Sequence, residues 1–264
     1  MVDRASGGRI GASLAETLRG AKATQSTQAV STETALLQHL ARCGELNNLR
    51  SSTPHSSEAE VECRAALSLE PHDPFVLLAV GTSLRLQRKA KEAAEVYKQA
   101  LALDPSQVLG HVLLADALVG EGSASRDEGL VEGMAALRLD PNSNEAMMLF
   151  DFLFGDSGVS DRDIATLHSE AQGHANDPVP HFVLGLAYTE STESNHLQKA
   201  MTEFREAIRL DPSNGYYHYH LGGALSDSGD KKAALTELET ARKLAPDNDI
   251  FRSLYDSLVR EVKE

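Results

Sequence analysis

The sequence predicts an all-α solenoid of about six antiparallel helix pairs, closed by a C-terminal helix. Three observations predict it. Prolines stand at 71, 105, 141, 178, 212 and 246, spaced 34, 36, 37, 34 and 34, and a fixed period in this range marks stacked helical units that bury one another's apolar faces. Most of them close one phrase: Leu69-Glu70-Pro71, Leu103-Asp104-Pro105, Leu139-Asp140-Pro141, Leu210-Asp211-Pro212 and Leu244-Ala245-Pro246. Small residues recur in phase with the proline: Ala66, Ala100, Ala136, Ala207 and Ala241 five before it, and Ala59, Ala93, Ala200 and Ala234 twelve before it.

Each part of the phrase has a physical reason. Proline lacks an N–H and clashes with the preceding turn, so it ends one helix and starts a turn. The aspartates before it (Asp104, Asp140, Asp211) supply turn and capping chemistry for the next helix. The alanines let the second helix of a pair approach its neighbour closely, and Tyr97, Phe204 and Leu238, eight before the proline, fill the space between them. On the first helix, Leu77, Val80, Gly81 and Leu84 return as His218, Leu221, Gly222 and Leu225 at the same distances after the proline.

These positions resemble the tetratricopeptide repeat (TPR) family, a 34-residue helix–turn–helix unit. Residues 74–105 carry Leu77, Val80-Gly81, Leu84, Ala93, Tyr97, Ala100 and Pro105; residues 178–212 carry Leu184-Gly185, Tyr188, Ala200, Phe204, Ala207 and Pro212; residues 215–246 carry Leu221-Gly222, Ala234, Ala241 and Pro246. The resemblance covers roughly residues 31–246 and implies a right-handed superhelix whose first helices line an inner groove. It also implies protein binding. The basic and amide residues with which the family clamps the C-terminal carboxylate of heat-shock chaperones are absent from the matching places here.

Taken in order, residues 1–30 read as a flexible N-terminal segment rich in Ser, Thr, Gly, Ala and Gln. Within it, Ile10, Leu14 and Leu18 make a short amphipathic helix, and Arg4, Arg9, Arg19 and Lys22 outnumber Asp3 and Glu16. Residues 31–71 form a degenerate first repeat with a loop around Pro54, its second helix opened by a capping box of Ser57 and Glu60. The array proper spans 72–246. Its third unit has Gly129 and Gly133 where alanine and an aromatic are expected, and its fourth has Thr166, Glu170 and Gly173 at the expected small and bulky places, which leaves the register of 161–174 open. Residues 247–264, with Ile250, Leu254, Leu258 and Val259, form a C-terminal capping helix.

Composition excludes several function classes. A net charge of −14 argues against a partner with a phosphate backbone, so no nucleic acid is expected. No apolar run is long enough to span a membrane. Cys43 and Cys63 lack metal-ligand spacing and read as buried thiols of a reducing compartment. The expected location is therefore cytoplasmic, with an organelle matrix, reached through the N-terminal segment, as the alternative.

Chemistry is sparse. His218 and His220, two apart on one helix, face different ways and cannot chelate together. The acidic run from Asp156 to Asp163 lacks the terminal glutamate of a calcium loop. There is no glycine-rich phosphate loop after a strand and no nucleophile elbow. No catalytic residue, metal site or cofactor is expected, and the chain reads as a scaffold, not an enzyme.

What remains is the groove. By repeat phase its candidates are Phe75, Leu78, Arg85, Val112, Asp116, Met148, Phe152, Phe182, Tyr216 and Tyr219. Such a surface suits an apolar or amphipathic segment of a protein or peptide partner. The leading expectation is an adaptor or assembly factor. The alternatives are a regulatory subunit of an enzyme, or self-association in which the basic N-terminal segment docks into a neighbour's groove.

Overall fold

Apolar stripes at helical spacing, broken by polar turns, favour helix over strand along the chain. The computed structural model describes residues 27–47, 56–120, 125–156, 158–192 and 194–263, and among them every regular element is helical. The chain divides into two compact units, Met1–Leu139 and Asp140–Glu264. The amphipathic pattern at Ile10, Leu14 and Leu18 lies outside the described residues.

The first unit contains α1 (Thr27–Leu46), α2 (Ser56–Leu69), α3 (Pro74–Leu86), α4 (Ala90–Leu103), α5 (Val108–Gly120) and α6 (Arg126–Leu139). Each helix packs on the next, and α1 also touches α3 as α3 touches α5. The first helices of the pairs therefore form a row. Tyr97 sits fully buried between α3 and α4, its hydroxyl donating to Thr82 Oγ1 at 3.3 Å. Ala93 and Ala100 flank it with no exposed surface, as close packing of the second helix requires.

The second unit contains α7 (Asn144–Asp151), which runs into a π-helical turn at Phe152–Asp156, then α8 (Asp161–Gly173), α9 (Pro178–Thr189), α10 (His196–Leu210), α11 (Gly215–Asp227), α12 (Lys231–Leu244) and α13 (Asp249–Lys263). The wider turn after α7 places Leu153 and Phe154 in the core. Helix α13 packs on α12 and buries Phe251 and Leu258, worth about 1.5–3 kcal/mol for each side chain.

The proline turns divide their labour. Asp104, Asp140 and Asp211 accept the backbone N–H two residues on, from Ser106 at 3.0 Å, Asn142 at 2.9 Å and Ser213 at 3.0 Å, and so close the turn around the proline. The helix caps come later: Asp73 accepts from Phe75 and Val76, Ser143 from Ala146, Asp177 from Val179 and Asn214 from Tyr216.

Four sequence expectations are corrected. Pro178 follows a capping aspartate at the first position of α9, as Pro74 does in α3, so it is the equivalent of Pro74 and not of Pro71. This resolves the fourth unit. Leu167 stands eleven residues before Pro178, against eight from Tyr97 to Pro105, and the buried face of α8 is Asp163, Leu167 and Ala171 instead of Thr166, Glu170 and Gly173. Ser57 lies inside α2, and Glu60 does not cap it: its carboxylate accepts from Gln87 at 2.7 Å and meets Lys89 at 3.3 Å. Among the described residues, Ser160 and Asp163 form a capping box.

The fourth correction concerns the cysteines. Cys43 and Cys63 are joined as a disulfide across α1 and α2, with Cα atoms 5.3 Å apart, and are not free thiols. Repeat packing brings them together: Cys43 takes the small-residue place on the first helix, and Cys63 takes the bulky place on the second, where Gly81 and Tyr97 meet in the next pair. Asn47 covers the bond, donating to Ser83 Oγ at 3.2 Å.

Candidate protein-interaction surface

In the first unit the row of first helices is largely occupied by its own contacts. Leu78 is 1% exposed and Val112 is buried, so both serve the core. Arg85 meets Asp116 at 3.0 Å, with only 14% of its side chain exposed, and this ion pair ties α3 to α5. Phe75, at the start of α3, keeps partial exposure.

The second unit presents more. Met148 on α7 is 36% exposed, the largest exposure among the residues the repeat phase assigns to the groove, and Phe152 and Tyr219 are half-buried. Phe182 is 1% exposed and belongs to the core, where it meets Tyr217 at 4.8 Å and Phe204 at 6.0 Å between ring centroids. Tyr216 is also buried. Its hydroxyl donates to Asn144 Oδ1 at 3.0 Å, joining α11 to the start of α7.

Tyr219 stacks on Phe251 at 5.0 Å and borders a shallow cleft of about 490 Å³ lined by Asp249, Ile250, Ser253, Leu254 and Ser257. Ile250 is more than half exposed there. Burial first, then the nearby Asp151 carboxylate, pushes the Tyr219 hydroxyl above its ordinary pKa. Asp151, though it reaches solvent, is itself held above the usual carboxylate range by partial desolvation and by the charge of Glu190. The surface is apolar and aromatic, edged by acidic groups.

Six histidines lie at helix contacts. His168 bonds the Tyr188 hydroxyl at 2.9 Å, and His220 sits among Phe182, Phe204 and Tyr219, where burial depresses its pKa to about 4. His39, His111, His181 and His218 each face a glutamate of the partner helix. Sequence reasoning missed that series, although it was readable. Each histidine stands four before the small residue of the first helix (Cys43, Ala115, Gly185, Gly222), and each glutamate four before the recurring alanine of the second (Ala66, Ala136, Ala207, Ala241). Among the described residues no three His, Cys, Asp or Glu side chains converge as on a metal ion, and no helix is long and apolar enough to cross a membrane.

Antiparallel helix pairs, small residues at the pair seams and proline-closed turns define an α-helical repeat protein. Within this array, residues 193–249 match the tetratricopeptide repeat family model. A curated relative, human protein O-mannosyl-transferase TMTC1, is 24% identical over 218 residues, 81% of this chain. The chain spans 24% of that protein's length. Similar solved structures include a thermophilic TPR protein from Thermus thermophilus (17% identity, 86% of this chain and 98% of that one, TM-score 0.39) and yeast Tom70 (16% identity, 88% and 47%, TM-score 0.49).

Proposed function

We propose that the chain is a non-enzymatic protein-interaction scaffold, an adaptor or assembly factor, that holds a partner segment on the row of first helices. One observation carries this reading. In the second unit, Met148, Phe152 and Tyr219 leave apolar and aromatic surface uncovered on first helices. Asp151, Glu190 and Asp249 stand around that surface, so the partner it fits best is an amphipathic segment with apolar anchors and a basic flank.

The transferase activity in the name of the human relative is not carried over, since the chain spans a quarter of that protein. A regulatory subunit of an enzyme remains a form of the same reading, in which the bound segment belongs to the enzyme. Self-association has one observation in its favour: residues 1–30 are net basic, opposite in sign to the acidic array. The cytoplasm is the proposed location, and the Cys43–Cys63 bond is the observation that counts against it, because such bonds persist in oxidising compartments. Non-reducing mass spectrometry of freshly lysed cells decides whether the bond exists in place.

Binding is tested by selecting peptides from a displayed random library against the full chain and measuring the best by calorimetry. Met148→Glu and Tyr219→Ser should each weaken binding by about tenfold or more, the loss of one well-buried contact. Selected sequences should share apolar residues and a basic end. Selected peptides that bind both variants as they bind the parent would refute the reading.

A further inference from the structure

The periodic histidines face acceptors on more than one side. His111 Nε2 lies 3.0 Å from the Pro105 carbonyl oxygen and its Nδ1 2.6 Å from Glu132 Oε2. His218 repeats this, with Nε2 3.2 Å from the Pro212 carbonyl and Nδ1 2.7 Å from Glu237 Oε2. A carbonyl oxygen only accepts, so each Nε2 must carry a proton. An ionised carboxylate also only accepts, so each Nδ1 must carry one too. The geometry thus needs one proton more than a neutral imidazole and a carboxylate supply together. Imidazole holds that proton about two pH units more readily than a carboxylate does, which makes the ring the cation.

Two further pairs share the position. His181 Nδ1 lies 2.7 Å from Glu203 Oε2, and His39 Nδ1 2.7 Å from Glu62 Oε2. His181, His218 and His111 have side chains no more than 18% exposed, so their pairs are shielded from solvent; the ring of His39 is 38% exposed. The same two places in the 74–105 pair are Leu77 and Val96, packed in one apolar cluster. The chain itself therefore holds an uncharged version of the contact.

We propose that His111–Glu132, His181–Glu203 and His218–Glu237 are proton-linked clasps that close their helix pairs as imidazolium–carboxylate bonds and loosen as pH rises past neutral. The charged groups facing the rings are consistent with this. Glu132 on α6 faces His111 and Glu237 on α12 faces His218, each with the preceding proline carbonyl; His181 faces Glu203, with Glu206 and Arg209 beyond it on α10. In each case the glutamate hydrogen bond is the largest influence, and it raises the histidine above its ordinary pKa against the opposing effect of burial. A raised folded pKa gives stability that is fully present below the unfolded value, about 6.5, and is lost as pH climbs through the folded value. As pH rises between those two values, the loss of each clasp raises the unfolding constant by up to about tenfold per pH unit. His220 works in the opposite direction but titrates below this window.

The test uses the full-length chain. Imidazole proton resonances, assigned with single His→Gln variants, are followed from pH 5 to 9 in the parent protein. His111, His181 and His218 should titrate above the free value of about 6.5; titration of all three at or below it overturns the proposal. Urea midpoints are then compared at pH 6.5 and 8.5 for the parent and for a chain carrying H111L/E132V, H181L/E203V and H218L/E237V, which copy the Leu77–Val96 pair. The parent midpoint should fall at pH 8.5 and the substituted chain's should change far less. An undiminished fall in the substituted chain overturns the proposal. If that chain does not fold, the resonance titration of the parent decides alone.

Discussion

Gly81 on α3 has its backbone pressed against the ring of Tyr97 on α4: a Cβ placed there would lie 2.3 Å from Tyr97 Cε1. Gly185 stands to Phe204 at 2.4 Å and Gly222 to Leu238 Cγ at 2.7 Å in the same way. The seam of a helix pair is therefore a glycine facing a large side chain. Gly81→Ala should cost about 1–3 kcal/mol by overpacking, since fully buried Tyr97 has nowhere to move. Gly223→Ala, one residue beyond the α11 seam and with nothing within 4 Å of its Cβ, should instead stabilise by up to about 1 kcal/mol through helix propensity. Urea melts of the two variants check both signs.

Arg85 and Asp116 cross-link α3 and α5. Asp116→Ala removes the carboxylate from a mostly buried guanidinium, and should destabilise the first unit by about 1–3 kcal/mol. Because Arg85 is shielded, the effect should persist at about 0.5 M salt, where a surface pair would be screened. Melting at two salt concentrations measures it.

Reducing the Cys43–Cys63 bond frees a segment with a sequence separation of 20. The chain-entropy estimate for a loop near this size is about 3 kcal/mol. Reductant should lower protection from hydrogen exchange in α1 and α2 and leave α10–α12 unchanged, because repeat arrays couple mainly to near neighbours. Peptide-resolved exchange with and without reductant reads this directly.

Acid brings a separate titration into view. Burial holds the His220 pKa at about 4, so between about pH 6.5 and 4 the unfolded chain binds a proton that the folded chain refuses. Stability should fall with pH in that window, opposite in sign to the effect of the clasps above neutral. Replacing His220 with leucine should flatten this acid limb, as thermal melts between pH 6.5 and 4.5 would show.

Fold and site were legible to different depths. Alanines at 93, 100, 207 and 241 marked the helix seams, because close approach tolerates few other residues. The fourth unit was not readable from its proline. A proline in a turn and one at the start of a helix look alike in sequence, and only the cap at Asp177 separates Pro178 from the turn prolines. The groove was read least well. On tightly packed helices a shift of one residue exchanges core for surface, and Leu78 and Phe182 fall on the core side while Met148 falls on the open side. The histidine series was present in the spacing, but it becomes visible only when two helices are aligned together.

The central claim is that a partner lies on the first helices of the second unit. The most direct measurement is photo-crosslinking: a library-selected peptide carrying a benzophenone side chain is bound to the full chain, irradiated and located by mass spectrometry. Attachment within 144–156 and 215–227, reduced by Met148→Glu or Tyr219→Ser, is the predicted result. Attachment concentrated in 196–210 and 231–244, on the second helices, would contradict it.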